Sequence, residues 1–399
     1  MTLTLERAKA TRLQVTLVTR ENPTSCRIPV PYIQNIRALQ YDNLKTIDEL
    51  GQVVSGFPQS APNLRSLRLT SLEVFSDRSV DPFESLAPTL RYLQLCGIPL
   101  YPSIIRLRSL TEFTYVGLGS DFHLDTLLDF LEENRSLEQV ALGIVFREDS
   151  LRLSRRRTLI KNQFRHLTIF CWDGMDGRAL LHAVALQRGA QLDITSYVGA
   201  KLHSLLSGLS PTHLLNLHSP TFMEYRPHER FIQLSGPNGY FSFSHPKNPS
   251  ASGPFEEFPL FPLANIQEFH LVHRKPKGTP RIALRALVFD QSPFPALETL
   301  AVDCETSVSN LLSALFSNPS FPPLLKTIAF LNCRLNEEFI EALALYAYKR
   351  KETTSAPLRK VVIIDADGVF PGIAAIRRLA KNVPIVDVRV GEELPSDLT

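Results

Sequence analysis

The sequence predicts an α/β solenoid, a stack of strand–helix repeats with a curved parallel sheet on the concave side and helices and loops on the convex side. Three observations lead to this prediction. An apolar pattern of the form L-x-x-L-x-L returns along the whole chain, its copies lie about 27 residues apart on average, and helical apolar stripes occupy several of the intervals. A unit of this kind cannot bury its apolar edge alone, so neighbouring units are expected to stack around one continuous core.

The strand pattern occurs in eleven well-formed copies. Residues 63–69 spell N-L-R-S-L-R-L, and Leu90, Leu93 and Leu95 repeat the same three apolar positions. The middle apolar residues of the eleven copies are Leu39, Leu67, Leu93, Phe113, Val140, Leu167, Phe269, Leu300, Ile328, Val361 and Val386. Successive side chains of a strand face opposite sides, so these residues are expected to point together into the core.

Four degraded copies occupy the remaining intervals. They centre on Leu13, Leu192, Leu215 and Phe241, and their first apolar position holds Ala10, Gly189, Thr212 or Asn238. With these copies included, residues 1–399 are predicted to form a single solenoid of about fifteen units.

Helices are predicted in the intervals where apolar residues follow a period of 3.6. They begin near Thr46, Asp125, Ser307 and Asn336, and a last short stripe runs through Ile373, Ile376 and Leu379. Ser, Asp and Asn suit the start of a helix because their side chains accept hydrogen bonds from unpaired backbone N–H groups.

Residues 219–262 fit the repeat worst. This window carries eight prolines and several glycines, which favour loops. It is predicted to be an irregular Pro-rich insertion with one poor repeat around Phe241 and Phe243. The alternative is a hinge between two arcs.

Composition and charge exclude several classes of protein. The 399 residues include 44% hydrophobic and 21% charged side chains, as in ordinary globular proteins, so extended disorder is not expected. The 43 Lys and Arg against 40 Asp and Glu leave a charge of +3, too small to predict nucleic acid or a membrane as the partner. No apolar run approaches the roughly 18 residues of a membrane span, and the polar start of the chain predicts no secretory signal.

The cysteines indicate a reducing compartment. Cys26, Cys96, Cys171, Cys304 and Cys333 are far apart and include no C-x-x-C pair. This pattern supports neither a zinc ribbon nor a disulfide framework, so reduced thiols in a cytoplasmic or nuclear protein are expected.

Residues 325–335, L-K-T-I-A-F-L-N-C-R-L, resemble the leucine-rich-repeat consensus, and N-E-E-F-I-E-A-L at 336–343 looks like its helical half. Residues 61–69, 87–99 and the opening 5–15 resemble fungal F-box proteins of the leucine-rich-repeat type. The resemblance implies a repeat arc that selects a protein substrate for a cullin-type ubiquitin ligase. The F-box itself, with its L-P-x-E opening, is not found before Leu13, so a Skp-type adaptor is an expected partner only if an F-box lies upstream.

No catalytic or cofactor-binding motif appears. The chain has no phosphate-binding loop and no G-x-S-x-G elbow. Residues 365–368, D-A-D-G, begin like a calcium loop, but the twelfth position is Ile376, which cannot ligate. We therefore predict no enzyme activity, no cofactor and no metal site, and a non-enzymatic protein-binding role. The alternative is a stand-alone scaffold or regulator with no ligase link.

The candidate binding residues alternate with the core anchors and would face the concave surface. Protein-recognition surfaces favour aromatic residues, although any open sheet carries a mixture of side chains. The predicted protein-binding residues are Tyr92, Gln94, Glu112, His166, Phe170, Asp193, Asn216, His218, Tyr240, Glu268, His270 and Asp303. Farther along, the same rows turn apolar at Ala329, Leu331, Val362 and Ile364.

Two basic clusters leave alternatives open. They comprise Arg147, Arg152, Arg155, Arg156, Arg157, Lys161 and Arg165, and Arg274, Lys275, Lys277, Arg281 and Arg285. Each is either a solvated loop between repeats or a docking patch for an acidic or phosphorylated segment of a partner protein.

Overall fold

The structure, a computed structural model, contains two compact units, Met1–Leu215 (unit 1) and Asn216–Thr399 (unit 2). Both are α/β, and in each unit eight neighbouring strands run mostly parallel. The residues described are 13–18, 36–44, 46, 63–71, 83, 89–101, 103–104, 107–117, 124–143, 160–161, 164–171, 174–197, 202–209, 214–227, 229–245, 261–273, 294–304, 315, 318–320, 322–333, 335–365 and 372–390.

Unit 1 is built on parallel strands that neighbour one another in chain order, as the repeat predicts. They are β1 (Leu13–Val18), β2 (Ile36–Leu44), β3 (Ser66–Ser71), β4 (Tyr92–Cys96), β5 (Glu112–Val116), β6 (Gln139–Gly143), β8 (His166–Cys171) and β10 (Gln191–Ser196). A separate parallel pair is formed by β7 (Ile160–Lys161) and β9 (Val184–Ala185).

The repeated apolar residues of unit 1 line up across the sheet. Leu67 pairs in register with Leu93, which pairs with Phe113, and the row continues through Val140 to Leu167 and Leu192. All of these side chains are buried. The residues that alternate with them along the strands β3 to β10 are half-buried or exposed, except for the buried Gly143. The predicted alternation between a core face and a second face is thus confirmed for β3 to β10.

Three helices are described in unit 1: α1 (Leu124–Glu133), α2 (Gly174–Ala183) and α3 (Leu202–Leu206). The helix predicted near Asp125 is α1, and its predicted stripe, Leu127, Leu128 and Leu131, is buried. Neither α2 nor α3 was predicted from the sequence.

Unit 2 combines an antiparallel meander with five parallel strands. The meander comprises β11 (Phe222–Arg226), β12 (Phe231–Gly236) and β13 (Gly239–Ser244), and the parallel strands are β14 (Glu268–His273), β15 (Thr299–Cys304), β16 (Thr327–Leu331), β17 (Lys360–Asp365) and β18 (Ile385–Val390). The order across the sheet is β13-β12-β11-β14-β15-β16-β17-β18, and β11 pairs with β14 in parallel.

The meander corrects the prediction of loops within residues 219–262. In β11 and β12 half-buried residues alternate with buried ones, among them Met223 and Ile232. In β13 three consecutive residues, Phe241 to Phe243, are buried. The prolines at 227 and 237 fall in the turns between strands, where they remove no ladder hydrogen bond. The expectation that all strands run parallel is therefore wrong at β12, which runs antiparallel to both of its neighbours, β11 and β13.

Two of the four degraded copies of the strand pattern, those centred on Leu13 and Leu215, were predicted at the wrong position. The backbone of β1 pairs Val15 with Leu39, so Val15 and not Leu13 occupies the middle position of that strand. Leu215 lies in a short 3-10 helix (Leu215–Leu217) and not in a strand. The place in the ladder next to Phe269 is taken by Met223 of β11. Leu192, by contrast, pairs with Leu167 as predicted.

Unit 2 carries two described α-helices, α4 (Glu337–Thr353) and α5 (Ile373–Ala380). Asn336 caps α4 as predicted, and its side-chain oxygen accepts the N–H of Phe339 at 3.0 Å. In α5 the predicted stripe is only partly right, because Ile373 is 65% exposed whereas Ala375 and Leu379 are buried.

Other predictions stay untested. The helices expected after Thr46 and after Ser307 lie almost entirely outside the described residues, as does the cluster 274–285 and most of the cluster 147–165. The single solenoid of about fifteen units also stays a prediction.

Candidate functional site

The side chains of β3 to β10 that alternate with the buried rows form what we call the open face of unit 1. Three lateral rows cross it in register. They are Ser66, Tyr92, Glu112, Gln139, His166 and Gln191; Arg68, Gln94, Thr114, Ala141, Thr168 and Asp193; and Thr70, Cys96, Val116, Gly143, Phe170 and Thr195. Six of the predicted binding residues lie on this face: Tyr92, Gln94, Glu112, His166, Phe170 and Asp193.

Neighbouring polar side chains on the open face form hydrogen bonds with one another. The hydroxyl of Tyr92 donates to Oε1 of Gln94 at 2.5 Å, between two residues on the same face of one strand. Nε2 of His166 lies 2.6 Å from Oδ2 of Asp193 on the adjacent strand. All four side chains are half-buried. Each is thus accessible to a partner while its position is restricted by a hydrogen bond.

The cluster of His166, Asp193 and Thr168 invites comparison with a catalytic relay. In such a relay the imidazole bridges the carboxylate and the hydroxyl through its two different nitrogens. Here the Thr168 hydroxyl lies 3.3 Å from the same Nε2 atom that contacts Asp193. The contacts of Nε2 therefore do not place the ring between the two groups as a relay would.

In unit 2, the predicted residues Glu268 and His270 lie on β14 and contact each other. Nε2 of His270 is 2.6 Å from Oε1 of Glu268. The hydrogen bond from His270 lowers the pKa of Glu268, and partial burial of the carboxylate opposes this effect. The Phe222 ring on the neighbouring strand contacts His270 edge-on, with ring centroids 4.9 Å apart.

The meander adds residues to this cluster that the sequence did not single out. Arg226 pairs with Glu224 and, at 3.2 Å, with Glu229, and its guanidinium carbon lies 4.9 Å from the centroid of the Phe231 ring. These residues were missed because the prolines favoured loops. The signal that would have found them is the alternation of F-I-Q-L at 231–234, followed by the Pro237-Asn238 turn.

Tyr240 lies half-buried on β13, but the other two candidates near it are not on a strand. Asn216 is buried in the 3-10 helix, and its side-chain amide donates to the carbonyl of Tyr240 at 3.1 Å. His218 follows that helix, and its carbonyl accepts from the side chain of Asn238 at 2.5 Å. Their placement on a strand was wrong because Leu215 does not anchor one. Both instead tie the chain to β13 and the turn before it.

Asp303 also differs from the expected surface residue. Its side chain is only 6% exposed, and Oδ1 accepts from the amide of Asn332 at 3.3 Å. It borders an apolar cluster on the same face of β15 to β17, formed by Ala301, Ala329, Leu331, Val362 and Ile364, all buried. Both faces of the sheet are therefore buried at these strands, which distinguishes this part of unit 2 from the open face of unit 1.

Metal-binding clusters and membrane-spanning helices are both absent among the described residues. Among them, no three His, Cys, Asp or Glu side chains are grouped so as to hold a metal ion. None of the described helices combines the length and the apolar character needed to cross a membrane. No protein-family model matches the chain, and no curated protein matches it either.

Proposed function

We propose that this chain is a non-enzymatic protein-binding repeat domain, and that the open face of unit 1 receives the partner protein. The observation that carries the proposal is the set of three registered rows on this face, opposite fully buried apolar rows. Two of these rows are mostly polar, the third is mixed, and nearly all of their residues are half-buried or exposed. A sheet face that served only as packing would carry apolar residues, as β15 to β17 do in unit 2.

The geometry favours binding on physical grounds. The strands β3 to β10 span five inter-strand steps, or about 24 Å, which is wide enough to seat a partner helix or loop. Tyr92 and Phe170 supply aromatic area, which contributes much binding energy for little lost entropy. Because Gln94, His166 and Asp193 already sit in hydrogen bonds, less conformational freedom is lost when a partner docks.

We further propose that the repeats are of the leucine-rich type, as found in the substrate-recognition region of F-box proteins. Support comes from the parallel strands in chain order, from the L-x-x-L-x-L rows and from the capped helix after residues 325–335. In this interpretation the chain selects a substrate for a cullin-type ubiquitin ligase. The alternative is a stand-alone scaffold or regulator.

The open face can be tested by affinity capture from a native extract with quantitative mass spectrometry. The double variant Tyr92→Ala/Phe170→Ala should recover at least about tenfold less of each partner that the wild type captures specifically. The matched control is Tyr348→Ala, an exposed tyrosine on α4 of unit 2. A partner set that is the same for wild type, double variant and control would refute the proposal, provided that all three proteins melt at similar temperatures.

The same captures separate the two classes of function. The ligase interpretation is supported if the partners include a Skp-type adaptor and a cullin. The variant Tyr92→Ala/Phe170→Ala should then retain these two proteins while it loses the other partners. Recovery of unrelated partners alone, from full-length protein expressed at its native level, supports the scaffold.

A further inference from the structure

Arginines gather along one edge of the unit 1 sheet, the amino-terminal edge at which its parallel strands begin. Arg65, Arg91 and Arg165 directly precede β3, β4 and β8, and Arg37 lies at the start of β2. Slightly farther upstream, Arg108, Arg135 and Arg188 precede β5, β6 and β10. Every strand from β2 to β10 in this sheet thus starts beside an arginine, and all of these side chains are exposed.

Backbone contacts bring these arginines close together. The N–H of Arg65 donates to the carbonyl of Arg37, and the N–H of Arg91 to that of Arg65, both at 2.8 Å. Neighbouring strands lie about 4.8 Å apart, so the edge presents cationic side chains at short, regular intervals. Nη1 of Arg65 donates to the carbonyl of Thr89 at 2.9 Å, and Nη1 of Arg91 to that of Ser109 at 3.0 Å. These bonds restrict the orientation of the two guanidinium groups at the edge.

A groove continues the same edge at β6, β8 and β10. Its volume is about 740 Å³, and Arg135, Arg165 and Arg188 line it together with one carboxylate, Glu138. Its polar lining also includes Ser136 and His166. The groove is therefore a concave site with a net positive charge at the end of the arginine row.

Carboxylates neutralise this edge only weakly. Glu133 lies 3.5 Å from Arg108 and Glu138 lies 3.5 Å from Arg165, and both arginine side chains are nearly four-fifths exposed. Ion pairs as exposed as these contribute little energy, so an incoming anion can displace them. Within the described part of the chain, no carboxylate forms a salt bridge with Arg65, Arg91 or Arg135.

We propose that the amino-terminal edge of unit 1 binds an extended, Asp- and Glu-rich segment of a partner protein. The guanidinium fork matches a carboxylate with two parallel hydrogen bonds. The edge from β2 to β10 spans six inter-strand steps, about 29 Å, which an extended peptide covers with about nine residues. This surface borders the open face and shares Glu112 and His166 with it. The proposal nevertheless does not depend on the function proposed for that face.

Charge distribution favours an acidic peptide over a nucleic acid. Glu112, Glu133 and Glu138 lie at the same edge and would repel a continuous phosphate backbone. A peptide can place a neutral residue opposite each of these carboxylates. Phe164, an aromatic residue of the groove, is buried and offers no ring face on which a base could stack.

The test is fluorescence anisotropy with the full chain and a labelled twelve-residue peptide of alternating glutamate pairs and single serines, at about 0.1 M salt. Arg135→Gln/Arg165→Gln/Arg188→Gln should weaken binding at least about tenfold. The matched control is Arg359→Gln/Arg377→Gln/Lys381→Gln, which removes the same charge from exposed positions of unit 2 and should change the affinity less than about twofold. The open-face variant Tyr92→Ala/Phe170→Ala should bind the peptide like the wild type, so the two proposals can fail separately.

Three outcomes would overturn the proposal. One is the absence of measurable binding to folded wild-type protein. Another is an equal loss in the edge variant and the unit 2 control, which would mean that only net charge matters. The third is tighter binding of a single-stranded DNA of similar length than of the peptide, which would make the edge a nucleic-acid surface.

Discussion

Arg350 shows how one charged side chain can hold a turn-rich region together. It lies on α4 with no exposed surface, and its guanidinium donates to the carbonyls of Pro319, Pro322, Pro323, Leu325 and Ala356 at 2.7–3.2 Å. Burial lowers the pKa of Arg350, and Tyr346 beside it acts in the opposite direction. The carbonyls satisfy the charge and fix the chain that leads into β16.

Arg350→Met should lower the free energy of unfolding by about 3 kcal/mol or more, because several buried carbonyls lose their donor at once. The measurement is chemical denaturation monitored by circular dichroism. Arg359→Met, which removes an exposed arginine from the same unit, is the control and should change stability by less than about 0.5 kcal/mol. Equal effects of the two substitutions would contradict the role given to Arg350.

The Glu268–His270 pair predicts a pH-dependent contribution to stability. Because its hydrogen bond to His270 lowers the pKa of Glu268 in the folded protein, the stabilisation is complete above the unfolded-state pKa. It is lost as the pH falls through the lower, folded-state pKa. Carboxyl-carbon NMR titration should show the pKa of Glu268 rising in His270→Gln. Asp387 on β18 is the internal control. A hydrogen bond from Arg389 lowers its pKa, and this pKa should not change in His270→Gln.

At the scale of elements, a glycine sets how closely α2 packs on the sheet. A Cβ atom at Gly177 would lie 2.5 Å from Sγ of the buried Cys171 on β8 and 3.1 Å from Cδ2 of Leu205 on α3. Only a residue without a side chain allows this approach. This requirement could not be predicted from the sequence, because it depends on how α2 packs against β8 and α3 in the folded protein.

Gly177→Ala should therefore destabilise the protein by about 1–3 kcal/mol through overpacking, although alanine favours helices. Thermal or chemical unfolding measures the change. The double variant Gly177→Ala/Cys171→Ala removes the clashing sulfur and should recover at least about 1 kcal/mol relative to the sum of the single substitutions. Strict additivity, or stabilisation by Gly177→Ala alone, would contradict the close packing.

The two longer predicted helices, α1 and α4, combine a polar residue at or near their start with buried apolar side chains. α1 and α4 follow apolar stripes, and Asn336 at the start of α4 is the kind of residue that accepts a backbone N–H. The meander was missed because its prolines are turn signals in a sequence that otherwise lacks the repeat. The pairing of β11 with β14 depends on contacts between residues that are far apart in the chain. No local sequence pattern predicts such contacts.

At the scale of the whole molecule, the two units share one arrangement. Along their parallel strands, buried apolar residues on one face of the sheet alternate with residues on the second face. The second face differs between the units. In unit 1 it carries polar and aromatic side chains, and in unit 2 it is apolar and buried at β15 to β17. Of the twelve predicted binding residues, those on unit 1 strands share one face, whereas Asn216, His218 and Asp303 are engaged elsewhere.

The amino-acid sequence alone determined the strand rows, their alternation, their parallel order in unit 1 and the helices with clear caps. These features depend on periods of two and 3.6 residues, which are local properties of the chain. Tertiary structure alone decided the antiparallel meander, the 3-10 helix at Leu215–Leu217, the burial of Asp303 and Arg350, and the alignment of arginines along one edge. Those features require residues tens of positions apart to meet, and their free energy depends on packing that no short segment contains.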